Sequence, residues 1–284
     1  MNIAKQQRNI FAFVADLYFA SRIEQAAAGL GFNIHWFEFG KEIDPGMFSI
    51  PWRQLAEHVV GPGAVLIEKL TDLQPALVIF DLNDNHIPWQ SWIALIKSSP
   101  ATRRIPVLCF GSHKDLEAFK AARSHGADAV VARSRFVEGM PALIEKMVRK
   151  IDIRALQESC EALLDDKAIL GIEEFNRGEY FEAHESLEIA WNKDHTPGRE
   201  LYRAILQISV AYLQITRRNY PGAIKMFLRS RQWIDPLPDT CRGVNVAKLR
   251  TDSAQVYLAI KELGPEGLSD FDLGLLKPVE YTDR

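Results

Sequence analysis

Leu77-Val78-Ile79-Phe80-Asp81-Leu82 lacks the apolar-polar alternation of a strand with one wet face, and its only charge stands near the end. Such a run fits a strand buried on both faces, as in a parallel sheet covered by helices. Similar short runs lie at 10–15, 33–39, 105–110 and 129–132, with the Asp81 strand itself spanning 76–82. Helical stretches separate them at 18–30, 64–73, 89–97 and 114–124, and a last one starts near Val137. Strands alternating with helices predict a doubly wound five-stranded parallel sheet over residues 1–150. The segment 40–63, with Pro45, Pro51 and Pro62, reads as an excursion before the second helix.

Beyond residue 150 the strand signal stops. Helical patterns are expected at 154–176, 180–192, 199–217, 222–234 and 246–263. The architecture is therefore α/β plus all-α, with a helical linker at 151–165 and a helical bundle over 166–284. Neither Pro nor Gly occurs between Pro141 and Gly171, so the two halves are expected to be joined by a continuous or nearly continuous helix. Its stripe of Ile144, Met147, Val148, Ile151, Ala155, Cys160 and Leu163 could pack on the protein itself or in a homodimer. A shift of 40 residues places Tyr180 on Tyr220, Ala183 on Ala223 and Leu187 on Phe227, the mark of stacked helical hairpins.

Composition narrows the function. The 284 residues are 47% hydrophobic and 25% charged with net charge -3, an ordinary globular balance. Residues 1–150 hold 17 basic and 15 acidic side chains, leaving 17 and 22 for the rest; neither half has the basic surplus of a nucleic-acid binder. No membrane helix or signal pattern is visible, so a cytoplasmic location is expected. Cys109, Cys160 and Cys241 are odd in number and widely spaced, which argues against a disulfide framework or a thiolate zinc site. Cys109 and Cys160 read as small buried hydrophobes.

In a doubly wound sheet, functional groups gather at the carboxyl ends of the strands. Asp16 and Asp81 end the first and third strands, and two carboxylates there suit Mg²⁺, or else each caps its own turn. Over residues 9–150 the chain resembles the receiver domains of response regulators, which share a flavodoxin-like sheet. The matching stretches are Phe13-Val14-Ala15-Asp16, the Asp81 strand, and Gly126-Ala127-Asp128. The resemblance implies Asp81 as phosphoacceptor, with Asp16, Asp81 and the Asn83 carbonyl as Mg²⁺ ligands and a histidine kinase upstream. It also implies a pocket completed by Ser112 and Arg133. The departures are Ala15 in place of an acid, Phe110-Gly111-Ser112 where the family ends its strand on a hydroxyl, Arg133 for lysine and Ser134 for proline. They favour a degenerate receiver that signals without phosphorylation; true phosphotransfer is the alternative.

The second distinctive stretch is Phe175-Asn176-Arg177-Gly178-Glu179-Tyr180-Phe181-Glu182-Ala183-His184-Glu185-Ser186-Leu187-Glu188-Ile189-Ala190-Trp191. Helical spacing puts Tyr180, His184, Leu187 and Trp191 on one stripe, so His184 is expected to face inward with Glu188 one turn on. In the repeat Ile224 stands for His184 and Leu228 for Glu188. With Glu185, Arg203 and Gln207, these residues form a polar network, a metal site, or a ligand or peptide pocket lined by Trp191 and Tyr212. The stretch resembles the helical family known as domain of unknown function 309 over about residues 165–235, a likeness that assigns no chemistry. The expected function is a cytoplasmic signalling protein, a degenerate receiver coupled to a helical domain that binds a protein or a small ligand. The alternative is a metal-assisted or His-Glu acid-base enzyme under receiver control.

Overall fold

The computed structural model describes residues 8–37, 40 and 63–282, so most of the predicted excursion at 40–63 lies outside the described residues. The chain divides into two compact units at Lys150/Ile151.

In the first unit the strands are β1 (Asn9–Phe13), β2 (Asn33–Phe37), β3 (Leu77–Asp81), β4 (Val107–Gly111) and β5 (Ala129–Ala132). The helices are α1 (Leu17–Gly29), α2 (Ala64–Leu73), α3 (Trp89–Ser98), α4 (Leu116–Ser124) and α5 (Arg133–Met147). All pairings are parallel in the order β2-β1-β3-β4-β5, the flavodoxin-like order, with the chain reversing direction across the β1/β3 neighbours. β3 and β4 are buried at every position, which explains the unbroken apolar runs. Side chains alternate between two cores. Ile10, Ala12, Ile79, Leu108 and Phe110 pack with Phe19, Ile23, Phe136, Met140 and Ile144 of α1 and α5. On the other face Phe13 stacks on Phe80 at 4.7 Å and meets Trp92 of α3 edge-on at 5.0 Å.

The second unit comprises α6 (Ile153–Cys160), α7 (Asp166–Asn176), α8 (Tyr180–Lys193), α9 (Glu200–Thr216), α10 (Tyr220–Ile234), a short hairpin β6 (Thr240–Cys241) and β7 (Val244–Asn245), and α11 (Val246–Gly267). Helices α7 to α10 stack as successive antiparallel hairpins. At the first of these contacts, a Cβ on Gly171 would stand 2.7 Å from Leu187 Cγ and 3.3 Å from the Ala183 carbonyl oxygen. After α11 the tail returns. Asn176 donates to the Val279 carbonyl at 2.9 Å and accepts from its N–H at 2.7 Å, and Tyr281 bridges to Val244. No helix among the described residues is long and apolar enough to cross a membrane.

Two expectations are corrected. The continuous helix from Pro141 to Gly171 is broken twice without Pro or Gly at either break. α5 stops because the next N–H, that of Arg149, bonds the Ala76 carbonyl at the start of β3 at 2.8 Å, while Val148 sinks into the core. New starts follow where Asp152 accepts from Ala155 N–H and Asp165 from Lys167 N–H, so carboxylate N-caps override helix propensity. The single apolar stripe is divided accordingly: Ile144 and Val148 belong to the first core, Cys160 is buried in the second unit, and Leu163 is 67% exposed.

Cys160 is also joined to Cys241 in a disulfide across 81 residues, with Cα atoms 4.4 Å apart, whereas Cys109 is free and buried. Sequence spacing gave no sign of this pair because α6 and β6 meet only in the folded unit. Their junction is tied further by the Arg242 N–H bonding the Cys160 carbonyl at 2.7 Å.

Candidate functional site

Asp81 ends β3 at the carboxyl edge of the sheet and is 2% exposed. Its Oδ1 accepts the Asn83 N–H at 3.0 Å and its Oδ2 pairs with Arg133 Nη2 at 2.7 Å. Arg133 opens α5, and its guanidinium lies over the Phe19 ring of α1 at 4.9 Å. The Asn83 side chain accepts the Ser112 N–H at 2.9 Å and so ties the loop after β3 to the loop after β4. Gly111 permits this closeness, since a Cβ there would stand 3.2 Å from Leu82 Cβ and 3.4 Å from Asn83 Oδ1. Beside them Asp84 is 8% exposed; its Oδ1 accepts the His86 N–H at 2.8 Å, and its Oδ2 is buried without a hydrogen bond.

Burial pushes the Asp81 carboxyl above the usual carboxylate range, and the Asp84 charge adds to the rise; the Asn83 N–H and the Arg133 guanidinium pull the other way without cancelling it. The folded state therefore holds the Asp81 proton to higher pH than the unfolded chain does. From this group stability falls as pH rises from about 4 through the folded pKa, because the unfolded chain ionises first. Removing Arg133 takes away two of the opposing influences and enlarges that fall. Arg133→Ala is expected to melt close to the parent near pH 4. Near neutral pH it should lose about 2 kcal/mol, less than the 3–5 of a fully enclosed pair because Arg133 keeps about a third of its side chain in solvent. Melting curves across pH check this; equal destabilisation at all pH values contradicts it.

Of the four residues assigned to this pocket, the structure joins Asp81 and Arg133 directly and brings the Ser112 backbone in through Asn83. Asp16 is exposed and caps α1, its Oδ1 accepting the Tyr18 N–H at 2.9 Å. The donor set does not fit Mg²⁺. A guanidinium already holds Asp81 Oδ2, the exposed Asp16 spends one oxygen on the α1 cap, and Ala15 supplies no ligand. Among the described residues no group of three His, Cys, Asp or Glu could hold a metal ion.

In the helical unit the buried face of α8 is Ala183, Ser186, Leu187 and Ala190, turned by the close approach at Gly171. His184 is therefore half-buried at the edge, its side chain making no hydrogen bond or ion pair among the described residues, and Glu185 and Glu188 are exposed. The expected His184–Glu188 contact is absent; the matching Ile224 and Leu228 of α10 are 3% and 4% exposed, so the two copies share spacing and differ in burial. Trp191 and Arg203 do meet: the guanidinium lies 4.6 Å from the Trp191 ring and 3.9 Å from that of Trp233. Gln207, one turn along α9, is 5% exposed, and its Oε1 accepts no hydrogen bond; Trp191 Nε1 is likewise buried without an acceptor. Tyr212 sits in the core against Phe175 and Tyr180 at 5.3 and 5.5 Å, and burial raises its phenol well above the ordinary value.

Sequence reading missed the side chain that organises the far corner of this unit. Arg242 occupies the left-handed region at φ 53, followed by Gly243 at φ 81, the two-residue turn of the β6–β7 hairpin. Its guanidinium pairs with Asp194 at 2.7 Å, donates to Thr196 Oγ1 at 2.8 Å and to the Tyr202 hydroxyl, and its side chain is 6% exposed. A lone Arg-Gly dipeptide carries no signal of such a role.

Residues 169–226 match the family model described as "Domain of unknown function (DUF309)". Among solved structures, the chain is similar to a response regulator signal receiver domain from Bermanella marisrubri, with 15% identity and a TM-score of 0.38, covering 50% of this chain and 99% of that one. It is also similar to a response regulator receiver domain from Rhodospirillum rubrum, with 22% identity and a TM-score of 0.33 over 48% and 89% of the two chains. Full-length FixJ from B. japonicum shares 14% identity at a TM-score of 0.34, covering 79% of this chain and 97% of that one. No curated protein matches the chain.

Proposed function

We propose that this chain is a signalling protein in which a response-regulator-like unit works without phosphoryl transfer and is coupled to a helical unit that binds a protein or small ligand. The observation that carries the reading is the Asp81–Arg133 pair at 2.7 Å. An acceptor aspartate must offer a free carboxylate oxygen to phosphorus, with a cation to neutralise the charge that builds up. Here one Asp81 oxygen holds a backbone N–H, the other holds a guanidinium, and the carboxyl sits above its ordinary pKa. Arg133 thus supplies from within the chain the positive charge that a bound cation would otherwise bring. On the output side, the buried Trp191 Nε1 and Gln207 Oε1 and the half-buried His184 side chain have no hydrogen-bond partner among the described residues, which favours a binding role over a closed structural network. The enzyme alternative gains no such support, since His184 and Glu188 do not meet.

The test is a small-molecule phosphodonor, acetyl phosphate, with Mg²⁺. The intact mass of the parent is expected to stay unchanged. A gain of one phosphoryl group in the parent that disappears in Asp81→Asn overturns the phosphorylation-independent reading.

A further inference from the structure

The second unit carries a covalent feature that neither the receiver-like pocket nor the helical motif uses. Cys160 closes α6 and Cys241 closes β6. Cys241 is fully buried, but Cys160 is 7% exposed and lines a cavity of about 350 Å³ with Leu163, Asp166, Thr240, Arg242 and Gly243. Cys160 is thus the less enclosed of the two bonded cysteines and stands at the wall of that cavity.

Little else holds α6. It has eight residues, of which only Leu156 and Cys160 are buried. Its Arg154–Glu158 pair lies in solvent, with side chains 90% and 63% exposed. Besides the disulfide and the buried Leu156 side chain, it is retained by the Arg242 N–H on the Cys160 carbonyl and by packing of Ser159 against Gly198. A helix this short does not persist in water alone, so its order depends on its attachments. It is also the first element after the division at Lys150/Ile151.

We propose that Cys160–Cys241 is a thiol–disulfide exchange site for dithiol reductants, and that its reduction frees α6. The thiolate of an incoming dithiol attacks Cys160 Sγ, and the Cys160–Cys241 bond breaks with its electron pair leaving on Cys241 Sγ, which takes up a proton. The second thiol of the reagent then displaces Cys160, which is released as a thiol, and the reagent departs as its own disulfide. Two electrons and two protons pass from the dithiol to the protein, and the oxidised reagent reverses the exchange. Cys109 takes no part: it is fully buried in β4, and burial holds its thiol far above the ordinary range.

The test uses the full chain equilibrated in graded ratios of reduced to oxidised dithiothreitol, quenched with an alkylating agent and read by peptide mass. Cys160 and Cys241 should gain label together in one two-electron transition, while Cys109 stays unlabelled in the native protein. Tryptic cleavage after Arg154 should quicken by about tenfold on reduction, as expected when a local unit opens without global unfolding, and should return on reoxidation. Hydrogen exchange of α6 against α9 gives the same reading without a variant. A Cys160→Ser/Cys241→Ser chain should behave as the reduced parent at every ratio. The proposal is overturned if the bond resists excess dithiothreitol until the protein unfolds, or if it is reduced and both Arg154 cleavage and α6 exchange stay unchanged. Neither outcome depends on whether Asp81 accepts phosphate.

Discussion

Arg242→Ala is expected to destabilise the helical unit by about 3 to 5 kcal/mol, the range for breaking a buried ion pair by removing one partner. The guanidinium touches Asp194, Thr196 and Tyr202, lies over the Tyr202 ring at 5.0 Å, and is almost wholly enclosed. Its loss leaves Asp194, 14% exposed at the side chain, without a counter-charge. It also leaves a left-handed alanine at a position whose strain the side-chain contacts now offset. Arg242→Lys keeps the charge but cannot reach three acceptors in one plane, so it should fall between parent and alanine. In Arg242→Ala/Asp194→Asn the unpaired carboxylate is gone, and the loss should be smaller than the sum of the single changes. Thermal or urea melts of the full chain measure the parent, Arg242→Ala, Arg242→Lys, Asp194→Asn and the double variant. Additive losses would mean that the two side chains do not work as a pair.

Gly171→Val should cost about 3 kcal/mol, at the upper end of overpacking effects, because two of the three nearest obstacles are backbone atoms that cannot rotate away. They are the Leu187 nitrogen at 3.2 Å and the Ala183 carbonyl oxygen at 3.3 Å, with Leu187 Cγ at 2.7 Å. Relief requires α7 and α8 to separate, which loosens the face formed by Ala183, Leu187 and Ala190. Gly178→Ala is the contrasting change. At φ 81, with no atom within 4 Å of where a Cβ would stand, it meets only backbone strain and should cost about 1 kcal/mol. Comparable losses in the two variants would refute the close-packing account of the α7–α8 contact.

Much of this molecule was legible in its sequence, and the boundary of what was legible has a physical origin. The strand pattern, the five-stranded parallel sheet and the long helices of the second half follow from side-chain periodicity, which the chain expresses over a few neighbouring residues. Helix starts were less legible. Asp152 and Asp165 each begin a new helix inside a stretch free of Pro and Gly, because a carboxylate that reaches a backbone N–H gains only when the chain has turned to present it. The orientation of His184 could not be read from its stripe. Tyr180, His184, Leu187 and Trp191 share a side of α8, but the depth of that side is set by Gly171, which draws α7 onto Ala183 and Leu187 and leaves His184 at the rim. The pairings that shape the sites lie further apart still: Asp81 with Arg133 across 52 residues, Cys160 with Cys241 across 81, and Arg242 with Thr196 across 46. Local composition determines which segments are strands and helices and which faces they bury. Which distant side chains meet was decided only when the sheet, the hairpin stack and the returning tail had taken up their places, since such contacts are selected by the path of the backbone between them.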